Sequence, residues 1–254
     1  MAGKALKAAV VLTAAGFSSR MGIGTKKEFL KINGKFVLQM AFEAFASLNL
    51  FSNYIIVLPQ AEIENGRDIL SAPFKSISLT FVGGGSSRQE SVYNGLLALE
   101  PISPDIVLIH DGARPWISRS VIEEVYSLTV LKEAAIPVVP SVNAMKTINS
   151  NGTVIADLKR DFTVAAQTPQ GFSFKKILSA HKKAKNDKLI YIDDAAIYGK
   201  YVGNVETVSG DTSNKKITYL TDLADRQQVS LVGTSSLLGN ATDAARLYYQ
   251  KKEE

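Results

Sequence analysis

Five charged residues stand where small or apolar residues would deliver them to the edge of a sheet: Arg20, Lys27, Asp111, Arg114 and Lys216. The first two follow the stretch Ala8-Ala9-Val10-Val11-Leu12-Thr13-Ala14-Ala15-Gly16, an apolar run that empties into a small-residue loop. Ala14, Ala15 and Gly16 carry so little side chain that a phosphate can approach their backbone N–H groups. Arg20 can clamp a phosphoryl oxygen through two donors, and Lys27 adds a compact charge. Asp111 ends a second apolar run in Asp111-Gly112-Ala113-Arg114-Pro115. Its carboxylate can hold Mg²⁺, a hard ion that prefers oxygen. Arg114 either binds phosphate or pins Asp111 in an ion pair. Lys216 precedes a short apolar stretch and either neutralises phosphoryl oxygens or belongs to a surface pair with Lys215. These types in this order suit a triphosphate site. A dinucleotide fingerprint is absent, and no Gly-Lys-Ser/Thr closes a P-loop.

Such groups need strands that end together. Leu6–Leu12, Tyr54–Leu58, Ile77–Val82, Asp105–His110, Ala134–Val139 and Val205–Ser209 read as strands. Helices are expected over Phe36–Leu50, Glu62–Leu70, Gln89–Glu100, Ile117–Lys132, Phe174–Lys185 and Asp194–Lys200, the last capped by Asp193. Strands alternating with helices predict an open, mostly parallel α/β sheet, whose ligands lie at the carboxyl ends of its strands. The glycine run Gly83-Gly84-Gly85 precedes a helix and can set free N–H groups around an anion or a base edge. Asn149-Ser150-Asn151-Gly152 between extended segments predicts a protruding β-arm, about 142–162. A two-stranded ribbon is marginal alone, so docking on another subunit would complete it. Residues 233–250 read as an amphipathic helical tail, and the whole chain, 1–254, as one domain.

Composition excludes several classes. With no cysteine there is no disulfide, thiolate catalysis or Cys-ligated zinc, and two histidines, His110 and His181, cannot build a multi-histidine metal site. His110 reads as a satisfied core residue rather than a base. The net charge of +5 suits an anionic substrate. No basic tail or aromatic-studded basic strand argues for nucleic acid, and no membrane span or signal peptide is evident, so a cytoplasmic protein is expected.

Thr13-Ala14-Ala15-Gly16, Arg20-Met21-Gly22, Lys27 and Phe29-Leu30 resemble the signature of sugar- and alditol-phosphate nucleotidyltransferases. Further motifs match over roughly 6–230: Gly83-Gly84-Gly85 with Arg88 and Ser91-Val92, Asp111-Gly112-Ala113-Arg114-Pro115, Thr168-Pro169-Gln170-Gly171-Phe172, and Gly210 through Asn214 to Lys216-Ile217-Thr218. Together they most resemble the 2-C-methyl-D-erythritol 4-phosphate cytidylyltransferase family. The resemblance implies a Rossmann-like fold and a homodimer clasped through the β-arm. It implies transfer of a cytidylyl group from CTP to an alditol phosphate, with Mg²⁺ or another divalent cation. It also implies roles: Arg20, Lys27 and Lys216 on the phosphates, and Ala14, Ala15, Gly16, Gly85, Ser91 and Asp111 at the nucleotide. Arg114, Thr168 and Arg160 are implied at the acceptor, Arg160 reaching the neighbouring subunit's site. Asp222–Val229 resembles the family's closing helix.

The chain departs from the family on the acceptor side. Asn143-Ala144 stands where an Asp-Thr pair is usual, and Ile192-Asp193-Asp194-Ala195 where a threonine opens the motif. Many members also have an acid at the position of Ser86. Two acceptor-side hydroxyls are therefore missing, which leaves a ribitol 5-phosphate cytidylyltransferase or a non-catalytic nucleotide-binding protein as alternatives. Asp193 or Asp194 can orient a lysine or a bound water.

Overall fold

The computed structural model describes residues 6–16, 26–223, 229–230 and 237–238. Its first strand is β1 (Ala8–Thr13), buried at every position. A hairpin follows: β2 (Lys31–Ile32) and β3 (Lys35–Phe36) turn at Asn33 and Gly34, both at positive φ. This Asn-Gly is a strong hairpin signal that the strand expectations above passed over. The chain continues through α1 (Val37–Ala46), β4 (Asn53–Leu58), α2 (Ile63–Ser71), β5 (Leu79–Gly83), α3 (Arg88–Ala98), β6 (Ile106–Asp111), α4 (Arg119–Lys132) and β7 (Ala134–Pro140). The arm carries β8 (Lys146–Ile148) and β9 (Val154–Asp157); then come β10 (Val164–Ala166) and β11 (Gln170–Ser173). Helices α5 (Phe174–Asn186) and α6 (Asp194–Tyr201) precede β12 (Glu206–Ser209), β13 (Val229–Ser230) and β14 (Leu237–Leu238).

The main sheet runs β10-β7-β11-β6-β1-β4-β5, with β12 also paired to β7. Its centre is parallel: β1 pairs β4 on one side and β6 on the other, and β4 pairs β5. The chain leaves β1 towards β4 and returns to it from the other side at β6, so a crevice opens at their carboxyl ends. Register puts Thr13 opposite both Val57 and Asp111 there, and pairs Leu58 with Gly83. Alternate residues of each buried strand feed opposite faces. Val10, Leu12, Ile56 and Leu58 pack with Phe42, Phe45, Ile122 and Val125 of α1 and α4. Val11, Ile55, Val57 and Ile109 pack with Val92, Leu96 and Ile177 of α3 and α5. Each fully buried Phe or Leu of these layers contributes roughly 1.5–3 kcal/mol.

Three expectations change. Gln170–Ser173, absent from the expected strands, is a central antiparallel strand between β6 and β7. Gly171 explains why it fits: an added Cβ there would meet Thr129 Oγ1 of α4 at 2.1 Å. The closing segment Asp222–Val229 is not a continuous helix, because Leu220–Leu223 is a 3₁₀ turn and Val229 pairs with Ile32. Residues 224–228 lie outside the described residues. Within the expected helical tail, Leu237–Leu238 form a strand on β13, and the rest of 233–250 lies outside the described residues. The arm is a two-stranded ribbon, exposed throughout both strands, with its turn closed by Asn149 Oδ1 accepting from the N–H groups of Asn151 and Thr153. No helix among the described residues is long and apolar enough to cross a membrane.

Candidate active site

A cleft of about 300 Å³ opens at the carboxyl ends of β1 and β6. Thr13, Ala15, Gly16, Lys27, Gly85, Ser91, Asp111 and Lys216 line it, together with Glu28, Ser86, Ser87, Arg88 and Ala113. Eight residues from four distant stretches of sequence thus meet where small-residue loops were expected to bind anions. Arg20 lies outside the described residues. Lys26 Nζ donates to the Gly16 carbonyl at 3.2 Å and ties the first loop to the turn that carries Lys27.

The second wall is the entry to α3. Ser87 caps the helix by accepting from Glu90 N–H at 3.0 Å. Ser91 Oγ accepts from Gly85 N–H at 3.1 Å and donates to the Ser87 carbonyl at 2.8 Å. The Ser91 hydroxyl therefore shapes the loop as well as lining the cleft. Gly84 is needed for close approach: a Cβ would stand 2.3 Å from Ala15 Cβ. Ser86 donates through both N–H and Oγ to Glu90 Oε2, at 2.8 and 2.7 Å.

Asp111 is the hub. Its Oδ1 accepts from Arg88 Nε at 3.1 Å and its Oδ2 from Lys216 Nζ at 2.8 Å, while Arg114 Nε stands 3.6 Å from Oδ2. Burial alone would raise its pKa, but Arg88, Lys216 and Arg114 outweigh burial and hold it well below the usual carboxylate range. Asp111 is thus permanently ionised and ringed by cations. The residue expected to hold Mg²⁺ has both oxygens engaged, Oδ1 by Arg88 and Oδ2 by Lys216. No group of three or more His, Cys, Asp or Glu that could hold a metal occurs among the described residues.

Two loops fix Lys216. Arg114 Nη1 donates to the Asn214 carbonyl at 2.7 Å, and Asn214 Nδ2 donates to the Thr168 carbonyl at 2.9 Å. Ile217 N–H donates to the Ala113 carbonyl at 2.9 Å. Lys216 is held between these anchors. Arg114 accordingly pins both Asp111 and the Lys216 loop, and does not line the cleft.

Thr168 lies beneath the cleft instead of in it. Its Oγ accepts from Asp111 N–H at 3.1 Å and sits 2.9 Å from His110 Nδ1. His110 Nε2 faces the Arg114 carbonyl at 3.1 Å. A carbonyl only accepts, so Nε2 carries the proton and Nδ1 accepts from Thr168 Oγ. The Thr168 hydroxyl, expected at the acceptor, thus bonds within this chain to His110 and Asp111. Ala14, expected at the nucleotide, donates its N–H to the Val57 carbonyl at 2.8 Å, and its side chain is fully buried in the core. Arg160 stands exposed on the arm's return, outside the lining of this cleft.

Two residues that line the cleft, Arg88 and Glu28, were not among the expected site residues. Arg88 appeared only as part of a motif, yet it bridges Asp111 and Asp194, the latter through Nη1 to Oδ2 at 2.9 Å. Asp194 therefore orients an arginine, not a lysine or water, and Asp193 caps α6 by accepting from Ala196 N–H at 2.9 Å. Glu28 is 2% exposed, and its Oε2 has no hydrogen-bond partner among the described residues. Burial raises its pKa, against the pull of Lys27, Lys26 and Lys216. Glu28 stands beside Lys27 in sequence, and that adjacency was the only signal for it.

The family model for 2-C-methyl-D-erythritol 4-phosphate cytidylyltransferase (IspD) matches residues 8–230. The enzyme of that name from Clostridium botulinum (strain Eklund 17B) is 37% identical over 215 residues, covering 84% of this chain and 94% of the relative. The bifunctional enzyme IspD/IspF of Bradyrhizobium sp. (strain BTAi1) is 37% identical over 214 residues, and here the chain spans about half of the relative, 53%. The crystal structure of 4-diphosphocytidyl-2C-methyl-D-erythritol synthase from Anaerococcus prevotii aligns with a TM-score of 0.76 at 26% identity, covering 86% of this chain and 93% of that one. The Thermus thermophilus cytidylyltransferase aligns at 0.68 and 29% identity, covering 86% and 96%. The motifs, the parallel sheet edge and these matches converge: the chain belongs to the 2-C-methyl-D-erythritol 4-phosphate cytidylyltransferase family.

Proposed function

We propose that the protein transfers the cytidylyl group of CTP to 2-C-methyl-D-erythritol 4-phosphate, giving 4-diphosphocytidyl-2-C-methyl-D-erythritol and pyrophosphate, an isoprenoid-precursor step. The observation that carries this reading is the ionised Asp111 holding Lys216 and Arg88 at a cleft that Lys27 also lines. An acceptor phosphate oxygen attacks the α-phosphorus in line. The new P–O bond forms as the α–β bridging P–O bond breaks, and the electron pair leaves with pyrophosphate. The attacking phosphate is already anionic, so no general base is required. Catalysis consists of aligning two polyanions and neutralising developing charge, the work of Lys27, Lys216 and Arg20. Backbone at Ala15, Gly16 and Gly85 frames the nucleoside.

Mg²⁺ fits this cleft chiefly through the triphosphate's own oxygens. Asp111, and Glu28, whose Oε2 has no hydrogen-bond partner among the described residues, are the lining carboxylates that would give it hard oxygens beside the triphosphate's own. When bound, the ion neutralises phosphate charge. The arm supports a homodimer: Val142, Ile148, Ile155 and Phe162 are exposed, Phe162 by 83%. Their burial on a second copy would bring Arg160 to the neighbour's acceptor phosphate. Ribitol 5-phosphate is the alternative acceptor, because Ile192, 90% exposed, stands where a hydroxyl is usual and its side chain cannot hydrogen-bond.

Pyrophosphate release with CTP, measured against a panel of phosphorylated polyols, tests the reading. The highest kcat/KM is expected with 2-C-methyl-D-erythritol 4-phosphate. A preference for ribitol 5-phosphate would transfer the assignment to that acceptor, and no release with any polyol phosphate would defeat it.

A further inference from the structure

We propose that Asp194 is a positioning residue for nucleotidyl transfer, setting Lys216 through Arg88 and Asp111, with His181 holding Asp194 from behind; this rests on the function proposed above. Asp194 is fully buried and His181 is 1% exposed, and neither lines the cleft. His181 Nε2 meets Asp194 Oδ1 at 3.1 Å, and Arg88 Nη1 donates to Asp194 Oδ2 at 2.9 Å. Arg88 Nε then donates to Asp111 Oδ1 at 3.1 Å, and Lys216 Nζ donates to Asp111 Oδ2 at 2.8 Å. One unbroken row of polar groups thus runs from α5, through the start of α6 and of α3, to the end of β6 and the Lys216 loop.

Stability alone does not account for Asp194. Capping of α6 is supplied by Asp193. A buried ion pair contributes little over well-packed apolar residues of the same volume. What Asp194 does is divide the guanidinium of Arg88. Asp194 tethers Nη1 while Nε reaches Asp111 Oδ1, and in that orientation the buried Nη2 meets no hydrogen-bond partner among the described residues, so Asp111 keeps Oδ2 for Lys216. Remove the Asp194 charge, and the guanidinium is free to turn Nη2 onto Asp111 Oδ2 in the two-pronged arrangement it prefers. Lys216 would then lose its anchor and drift from the phosphate path. A displacement of about 1 Å at a reacting group costs on the order of 10²-fold in rate.

The test uses the full-length protein. Asp194→Asn is expected to lower kcat for pyrophosphate release by roughly 10- to 10²-fold, with a much smaller change in KM for CTP. The loss should vanish in a Lys216→Met background, because the two changes act on one group. His181→Gln, which keeps an N–H donor, should recover most of what His181→Leu loses. The reactivity of Lys216 towards an acylating reagent, read by mass spectrometry, should rise several-fold in Asp194→Asn; this readout needs no turnover. Unchanged Lys216 reactivity, losses that simply add, or a fall in Tm with normal kcat per folded molecule would overturn the proposal. If Asp194→Asn does not fold, the His181 pair decides by the same two readouts. An inactive wild-type protein would instead reject the proposed function, leaving the acylation result to judge this inference.

Discussion

His110 illustrates how a polar residue next to the site serves it without entering it. The ring is fully buried, and burial pushes its pKa down to about 4 against an ordinary 6.5. Its neutral form is locked between Thr168 Oγ and the Arg114 carbonyl. Because the folded value is depressed, the unfolded chain binds the extra proton first. The stabilisation is complete above about pH 6.5 and is lost as the pH falls towards 4. The amount is roughly 3 kcal/mol at 1.36 kcal/mol per pKa unit. Urea midpoints should therefore fall between pH 7 and pH 4, while an NMR titration finds His110 neutral at pH 5.5. An imidazole of His110 that titrates near 6.5 would refute this. Asp111 acts in the same direction at lower pH, since its three cationic partners hold its folded pKa below the unfolded one.

Strand β11 is the element whose placement matters most for the cleft. It lies between β6 and β7 and ends the run in which Thr168 supports Asp111. Its fit depends on α4 packing directly over Gly171. Thr129 Oγ1 of α4 donates to the Val125 carbonyl at 2.6 Å and occupies the space a side chain would need. Gly171→Ala is therefore expected to destabilise the fold by about 1–3 kcal/mol, the usual cost of overpacking. Adding Thr129→Ala should return most of that loss by clearing the hydroxyl. Equilibrium unfolding of the single and double variants checks this; a Gly171→Ala protein as stable as wild type would contradict the packing account.

At the scale of the whole molecule the proposed homodimer gives the arm its role. Within one chain Arg160 does not line the cleft, so the acceptor role proposed for it needs a second copy. Arg160→Ala should impair use of the acceptor more than binding of CTP. In mixed dimers with a Lys27→Ala subunit, each partner would supply what the other lacks, and activity should return above that of either parent. Complementation assayed after co-refolding checks this. Mixtures no more active than the parents would remove the cross-subunit contribution.

Much of this was legible before folding. Buried strands, small-residue loops and paired motif charges are local patterns, so the parallel sheet edge and the placement of Lys27, Asp111 and Lys216 could be read from residue order. The β2–β3 turn was equally local at Asn33-Gly34, and went unread because its strands are only two residues long. Other features have no local signature. Arg88 and Asp194 meet across 106 positions, and Thr168 reaches His110 across 58. Whether a hydroxyl faces a ligand or is consumed beneath it depends on what a distant strand brings alongside. Hydrophobic periodicity records which face is buried, whereas hydrogen-bond partners within the buried layer are chosen only once the sheet has closed over them.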